Sequence, residues 1–381
     1  MKMLSLPRRL ERSSGTRESK ILYVLPILAI VLVAGCIGQT AGGETIKIGL
    51  SAPLTGEAAS FGEGALAGAE LAIKEINDAG GINGKKLELI AEDDKCSNEG
   101  VKTFNKLVNA DKVTAIIGPV CSAAAGPGVP IAEEGGVPTL IWGSAPHLTI
   151  GKAYIFRNYP SDAFQGKFAA EYAYSTLGKR KAAVIYVQND WGQGIRDVFV
   201  PRFRELGGLV VFDEGITQDS RDLRTPISKA KEADPDFVYF VVYPANGVVG
   251  LKQLKELGLN VTVLAGDAFE TDEVITSEGA EGTLYTLGKI NAPEDFKARV
   301  ENATGKKFNL VSPLAYDAIN ILANIMKEVG TDQKKIRDAL EDVSHEAVAF
   351  PLIEFDAEGD LKEVEFEVKL ITGGKSVPYQ G

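Results

Sequence analysis

An α/β chain with two doubly wound lobes is predicted from three observations. Strand-sized apolar runs rich in Val and Ile alternate with segments of helical periodicity. The alternation runs once as far as a break near Tyr159 to Phe164 and then starts again. At 381 residues the chain is long enough for two cores of ordinary domain size. Apolar strands separated by helices imply mostly parallel sheets covered on both faces.

The first 41 residues stand apart from this pattern. Arg8, Arg9, Arg12, Arg17 and Lys20 precede an apolar run from Ile21 to Ala34, the layout of a secretory signal. That run is shorter than the roughly 20 residues that span a bilayer. It ends in VAGC, where small residues admit a processing enzyme and Cys36 offers a thiol for acylation, as in the lipobox of exported lipoproteins. Gly38 to Glu44 reads as a flexible tether. An exported protein held at the outer face of the cell membrane by a lipid on Cys36 is expected.

From residue 45 the elements follow in order. TIKIGL (45–50) is a strand, and 62–80 is a helix with Leu66, Ala69, Ile73 and Ile76 on one face, stopped by Gly80 and Gly81. KLELIAEDD returns as a strand, 99–110 as a helix, VTAIIGP as a strand, 126–134 as a short helix and VPTLIW as a strand. After the break come a helix over 165–177, the strand KAAVIYVQ, a helix from Gly194 to Leu206 and the strand GLVVFDEGI. A helix from Leu223 to Ala233, the strand DFVYFVVY, a helix over 247–257, VTVLAGD and EGTLYTL complete the second alternation. Helices are expected over 293–303, 312–329 and 333–341, and residues 351–371 read as a hairpin turned at Glu358-Gly359-Asp360.

Composition excludes several functions. A net charge of −11 argues against nucleic-acid binding, which needs concentrated Lys and Arg. With two histidines and three cysteines there is no metal cluster, and neither HExxH nor GxSxG occurs. GEGALAG lacks the lysine of a phosphate loop and the spacing of a dinucleotide fingerprint. No cofactor and no enzymatic activity are expected. If lipid consumes Cys36, then Cys96 and Cys121 remain, either as a disulfide in an oxidising compartment or as two separate buried thiols.

Open parallel sheets bind ligands beyond the carboxyl ends of their strands. In the first lobe those ends carry PLTGEAASFG, GPVCSAAAGP and WGSAP, small and hydroxyl-bearing segments in which Ser122 and helix-start N–H groups suit a carboxylate. In the second they carry QNDWGQG, YPANG and GDAFE, where Trp191 and Tyr243 offer ring faces and Asp267 offers a carboxylate to an ammonium. Together these groups describe a zwitterion. Each has a structural alternative: Ser122 and Asp267 as helix caps, Trp191 and Tyr243 as packing. Trp142 is expected to be structural, and Phe61 and Asp317 are weaker pocket candidates.

IKIGLSAPLTG, AGGINGKKLELIAEDD, IIGPVCS, IYVQNDWGQG, FVYFVVYP and EFDAEGD, in this order, resemble the substrate-binding proteins of branched-chain amino acid (leucine/isoleucine/valine) ABC transporters. The likeness covers about Thr45 to Ile371. It implies a type I periplasmic-binding-protein fold with a three-strand hinge, lobe one over 45–160 plus 290–346 and lobe two over 161–289 plus 347–375. It implies a Cys96–Cys121 disulfide, carboxylate binding by Ser122, further contacts from Gly143, Ser144 and Ala145, and aromatic contacts from Trp191 and Tyr243. Asp267 stands at an ammonium-holding position where leucine binders usually have glutamate, one methylene longer. A branched-chain amino acid ligand, with an aromatic or polar amino acid or another small carboxylate, bound for transport or sensing, as the alternative, an ABC permease partner and a monomeric state are implied as well.

Overall fold

The computed structural model describes residues 45–381. The expected signal, lipobox and tether lie outside them. The first layer begins with β1 (Ile46–Ala52), α1 (Ala59–Asp78), β2 (Leu87–Asp93), α2 (Gly100–Asn105) and β3 (Ala115–Ile117). It continues with α3 (Ser122–Gly135), β4 (Thr139–Ile141) and β5 (Ile155–Arg157). These strands form one sheet in the order β2-β1-β3-β4-β5, with every neighbouring pair parallel.

The chain then leaves this sheet through residues 158–161. α4 (Asp162–Glu171), β6 (Lys181–Val187), α5 (Asp190–Glu205), β7 (Leu209–Ile216) and α6 (Arg224–Glu232) follow. β8 (Phe237–Val241), α7 (Pro244–Glu256), β9 (Thr262–Ala265), α8 (Asp272–Ile275) and β10 (Leu284–Gly288) extend the second layer. Next, α9 (Glu294–Thr304) and α10 (Val311–Val329) return to pack on α1, and α11 (Gln333–Glu341) packs on α10. Finally β11 (Phe366–Thr372) and β12 (Lys375–Pro378) rejoin the second sheet, ordered β12-β11-β10-β9-β8-β6-β7. Its strands are parallel except where β11 pairs with β10 and β12.

Close helix packing explains much of the sequence of α1. A Cβ at Gly68 would lie 1.9 Å from the Ser312 carbonyl oxygen, so glycine is what lets α10 approach. Ala65, Ala69 and Ala72 on α1 and Leu314, Ile321 and Leu322 on α10 join Ile48, Leu50 and Leu140 of the sheet in one core. Each buried large apolar side chain contributes about 1.5–3 kcal/mol.

Among the helices that start earlier than their periodicity suggests, three do so where the site lies, for local reasons. α5 begins at Asp190 because Asn189 is its N-cap, its side chain accepting the Gly192 N–H at 3.1 Å. α7 begins at Pro244, a residue pre-set for the first helical position. α3 begins at Ser122 and carries Pro127 and Pro130 inside it, prolines that mark the helix as starting later when read from sequence. These shifts place Ser122, Trp191 and Tyr243 at helix N-termini.

Two other expectations are corrected. β5 is a fifth strand in the first sheet, hidden because its apolar run is short and ends in Arg157, which is completely buried. The hairpin over 351–371 is reduced to the isolated bridges His345–Ile353 and Phe355–Leu361, and the regular hairpin is β11–β12. The turn at Gly359 docks on β5 instead of carrying longer strands: the Arg157 N–H donates to the Gly359 carbonyl at 2.8 Å.

Candidate ligand-binding site

Five of the residues singled out by sequence share one cavity wall. Ser122 follows β3, Ser144 follows β4, Trp191 follows β6, Tyr243 follows β8 and Asp267 follows β9, all beyond strand carboxyl ends. The cavity has about 480 Å³ of non-atom space, part of it open to solvent. Phe61, Val120, Cys121, Trp142, Tyr159, Ala268, Leu310, Val311 and Leu314 complete its walls.

The first-sheet side is built on a fixed helix start. Cys121 is the N-cap of α3 and is disulfide-bonded to Cys96. Its carbonyl accepts the N–H groups of Ala124 and Ala125, both at 3.0 Å. The preceding N–H groups, those of Ser122 and Ala123, have no partner within the helix by its geometry. The Ser122 hydroxyl accepts the Ala145 N–H at 3.1 Å and keeps its own proton to donate. Helix N–H groups and a free hydroxyl proton together suit an anion.

Gly143 and Ala145 stand behind this wall and do not line the cavity. The Gly143 N–H donates to the Pro119 carbonyl at 3.0 Å, and that of Ala145 is held by Ser122. Their carbonyls accept from Arg157 Nη1 at 3.1 and 2.9 Å. Arg157 in turn pairs with Asp360, Nε to Oδ1 at 2.8 Å and Nη2 to Oδ2 at 3.0 Å. A buried bidentate pair therefore fixes the segment that presents Ser144.

The second-sheet side combines aromatic surface with negative charge. Trp191 and Tyr243 stack with ring centroids 4.8 Å apart, and Asn189 Nδ2 donates to the Tyr243 hydroxyl at 3.2 Å. Asp267 is 7% exposed, and its Oδ1 has no hydrogen-bond partner. The Tyr159 hydroxyl donates to Oδ2. Burial raises the Asp267 pKa above the ordinary carboxylate range, and the Tyr159 bond offsets part of that rise. Asp162, the first residue of α4, is also fully buried with neither carboxylate oxygen hydrogen-bonded. Burial first, and then the charge of Asp267, push its pKa well up, with the neighbouring Ser144 hydroxyl and the charge of Arg157 offsetting part of the rise.

Trp142 serves both wall and structure, its Nε1 donating to Asn158 Oδ1 at 2.9 Å. Phe61 lines the cavity, whereas Asp317 does not: its carboxylate accepts the N–H groups of Val348 and Ala349 at 2.9 and 2.7 Å. Tyr159 and the apolar wall of Leu310, Val311 and Leu314 were not anticipated. Tyr159 carries the same signal as the others, a position just beyond a strand, and recognising β5 exposes it. Contacts across the cleft also include a Glu57–Arg221 ion pair and a hydrogen bond from Gln218 Nε2 to the Cys96 carbonyl at 3.2 Å.

Two sheet-centred lobes that share a cavity lined at strand carboxyl ends define a two-lobed α/β solute-binding protein. The chain belongs to the periplasmic binding protein family, whose model matches residues 45–362. It is 33% identical to a leucine-, isoleucine-, valine-, threonine- and alanine-binding protein of Pseudomonas aeruginosa, over 90% of this chain and 94% of the relative. A leucine-binding protein structure from Thermotoga maritima superposes with a TM-score of 0.81 at 27% identity, covering 88% of this chain and 98% of the other. A branched-chain amino acid transporter substrate-binding protein from Streptococcus pneumoniae, in complex with isoleucine, gives 0.79 at 26% identity, covering 88% and 100%.

Proposed function

We propose that the protein binds an amino acid of the branched-chain class between its lobes and delivers it to an ABC permease. The observation that carries this is Asp267 Oδ1, a buried carboxylate oxygen without a protein donor, in the wall of a cavity whose facing side offers N–H and O–H donors. An uncompensated carboxylate is costly to bury, and a ligand ammonium removes that cost. Ser122, Ser144 and the start of α3 receive the ligand carboxylate, Asp267 receives the ammonium, and Trp191, Tyr243, Phe61 and Leu314 pack on an apolar side chain. Gly143 and Ala145 act through backbone groups that hold Ser122 and Ser144 in place.

Residues 45–160 and 290–346 form one closing lobe in this proposal, and 161–289 and 347–375 the other. The lobes move about the three crossing segments, and contact with both lobes lets the ligand favour the closed form. A diacylglyceryl-type anchor on Cys36 holds the mature protein, a monomer, at the membrane, since two or more acyl chains give stable attachment. Cys36→Ser in the full chain is then expected to release the exported protein into the soluble fraction.

Calorimetric titration of the chain from Gly42 onward with each standard amino acid tests the ligand class. Saturable binding of leucine, isoleucine or valine is expected, and binding of none of the set overturns the proposal.

A further inference from the structure

We infer that Tyr159 is a second acceptor for the ligand ammonium, so that it selects amino acids over the matching acids without an amine, an assignment that rests on the amino-acid binding proposed above. Tyr159 lies in the segment that leaves β5 toward α4, and its side chain is 5% exposed in the cavity wall. Its hydroxyl reaches across to Asp267, which follows β9 of the other sheet, and donates its only proton to Oδ2.

A phenol that has given its proton away retains lone pairs on oxygen. Because Oδ2 is engaged by Tyr159, Oδ1 is the carboxylate oxygen left for a ligand. The cavity wall thus presents two acceptors from one bonded pair, Tyr159 Oη and Asp267 Oδ1. An ammonium with three N–H donors matches such a pair. An acid of the same shape without an amine leaves Oδ1 unpaired and gives Tyr159 nothing to accept.

The tyrosine also stays protonated. Its pKa is pushed well above the usual phenol value by burial, then by the charge of Asp267, with Asp162 and Glu270 adding to it. It therefore donates to Asp267 and accepts from a ligand wherever Asp267 is ionised.

Leucine and 4-methylpentanoate form the matched test pair, measured by calorimetry on the unaltered protein and on Tyr159→Phe. The unaltered protein is expected to prefer leucine by about 10³-fold or more, as sites built to pair a polar group do. In Tyr159→Phe, leucine affinity is expected to fall by about 10- to 100-fold, the loss of a hydrogen bond to a charged group. The affinity for 4-methylpentanoate is expected to stay within about twofold, because that ligand offers Tyr159 no donor.

Repeating the titrations at about pH 6.5 and about pH 8.5 separates direct acceptance from positioning of Asp267. A loss of equal size at both values supports direct acceptance. A loss that vanishes at the higher pH shows that Tyr159 acts only by keeping Asp267 ionised and overturns the inference, as does an equal loss for both ligands. If the unaltered protein binds leucine and its selectivity is unchanged in Tyr159→Phe, this inference alone fails. If it binds no amino acid, the proposed function fails and takes the inference with it.

Discussion

The indole of Trp191 lies on the ring of Tyr243 with 23° between their planes, two residues from different helix starts forming one aromatic surface. Offset stacking of this kind contributes about 0.5–1.5 kcal/mol beyond the apolar area it buries. Trp191→Ala is expected to destabilise the ligand-free protein by about 3 kcal/mol or more, as truncation of a buried large aromatic does. Trp191→Tyr keeps a stacked ring and is expected to retain most of the stability. Urea denaturation of both variants checks this: equal losses show that the stack contributes little.

Asp267→Asn keeps the shape of the side chain and removes its charge. Leucine affinity is expected to fall by about 10- to 100-fold, the range for a hydrogen bond to a charged group. The pH dependence follows from the raised pKa of Asp267. An ammonium pairs with the ionised carboxylate, so affinity is fully present above the raised pKa and declines as pH falls through it. Asp267→Asn is expected to show a flatter profile over the same acid range. Titration calorimetry from about pH 4.5 to about pH 8 reads both effects, and parallel profiles exclude Asp267 as the titrating group.

Asp317 supplies a separate pH effect, on stability. Burial raises its pKa from 3.8 to about 7, with the N–H groups of Ala349 and Val348 offsetting part of the rise. The folded protein therefore holds this proton more tightly than the unfolded chain. Its contribution is fully present below the unfolded value and is lost as pH rises toward about 7. Asp317→Asn lacks this gain, so its melting temperature is expected to fall further below that of the unaltered protein as the pH drops from about 7 to about 4. A constant gap across that range excludes a raised Asp317 pKa.

Much of this architecture was legible in the sequence. Strands such as KAAVIYVQ and DFVYFVVY and helices such as 312–329 declare themselves by unbroken apolar runs or strong periodicity. The candidate cavity wall was legible for a related reason: hydroxyls, aromatics and a carboxylate stand just after strands, where an open sheet leaves room. What sequence did not reveal depends on partners distant along the chain. Arg157 reads as the polar end of a strand, yet it is buried because Asp360, in a turn about two hundred residues away, neutralises it. The same pairing draws the Gly359 turn onto β5 and breaks up the hairpin that local alternation suggests. Nor does local sequence show that Arg157 and Ser122 bond the backbone of Gly143 and Ala145 and tie that segment down.

That pairing yields the last prediction. Arg157 has no exposed surface and joins Asp360 to the Gly143 and Ala145 carbonyls, so removing it leaves a half-buried carboxylate without its cation, the Gly143 carbonyl without a donor and the Ala145 carbonyl with the Leu148 N–H alone. Breaking one side of a buried ion pair costs about 3–5 kcal/mol, whereas replacing both partners with apolar groups of similar volume is often near neutral. Arg157→Met is therefore expected to lower stability by about 3–5 kcal/mol, and Arg157→Met combined with Asp360→Leu to recover a large part of it. Ligand affinity is expected to behave differently. The double variant does not restore the two guanidinium bonds to the Gly143 and Ala145 carbonyls, so the segment that presents Ser144 stays less firmly held and leucine binding stays weak in both proteins. Denaturation and calorimetry on the same preparations separate the two effects. Recovery of affinity together with stability in the double variant shows that Arg157 supports the fold without positioning the 143–145 segment.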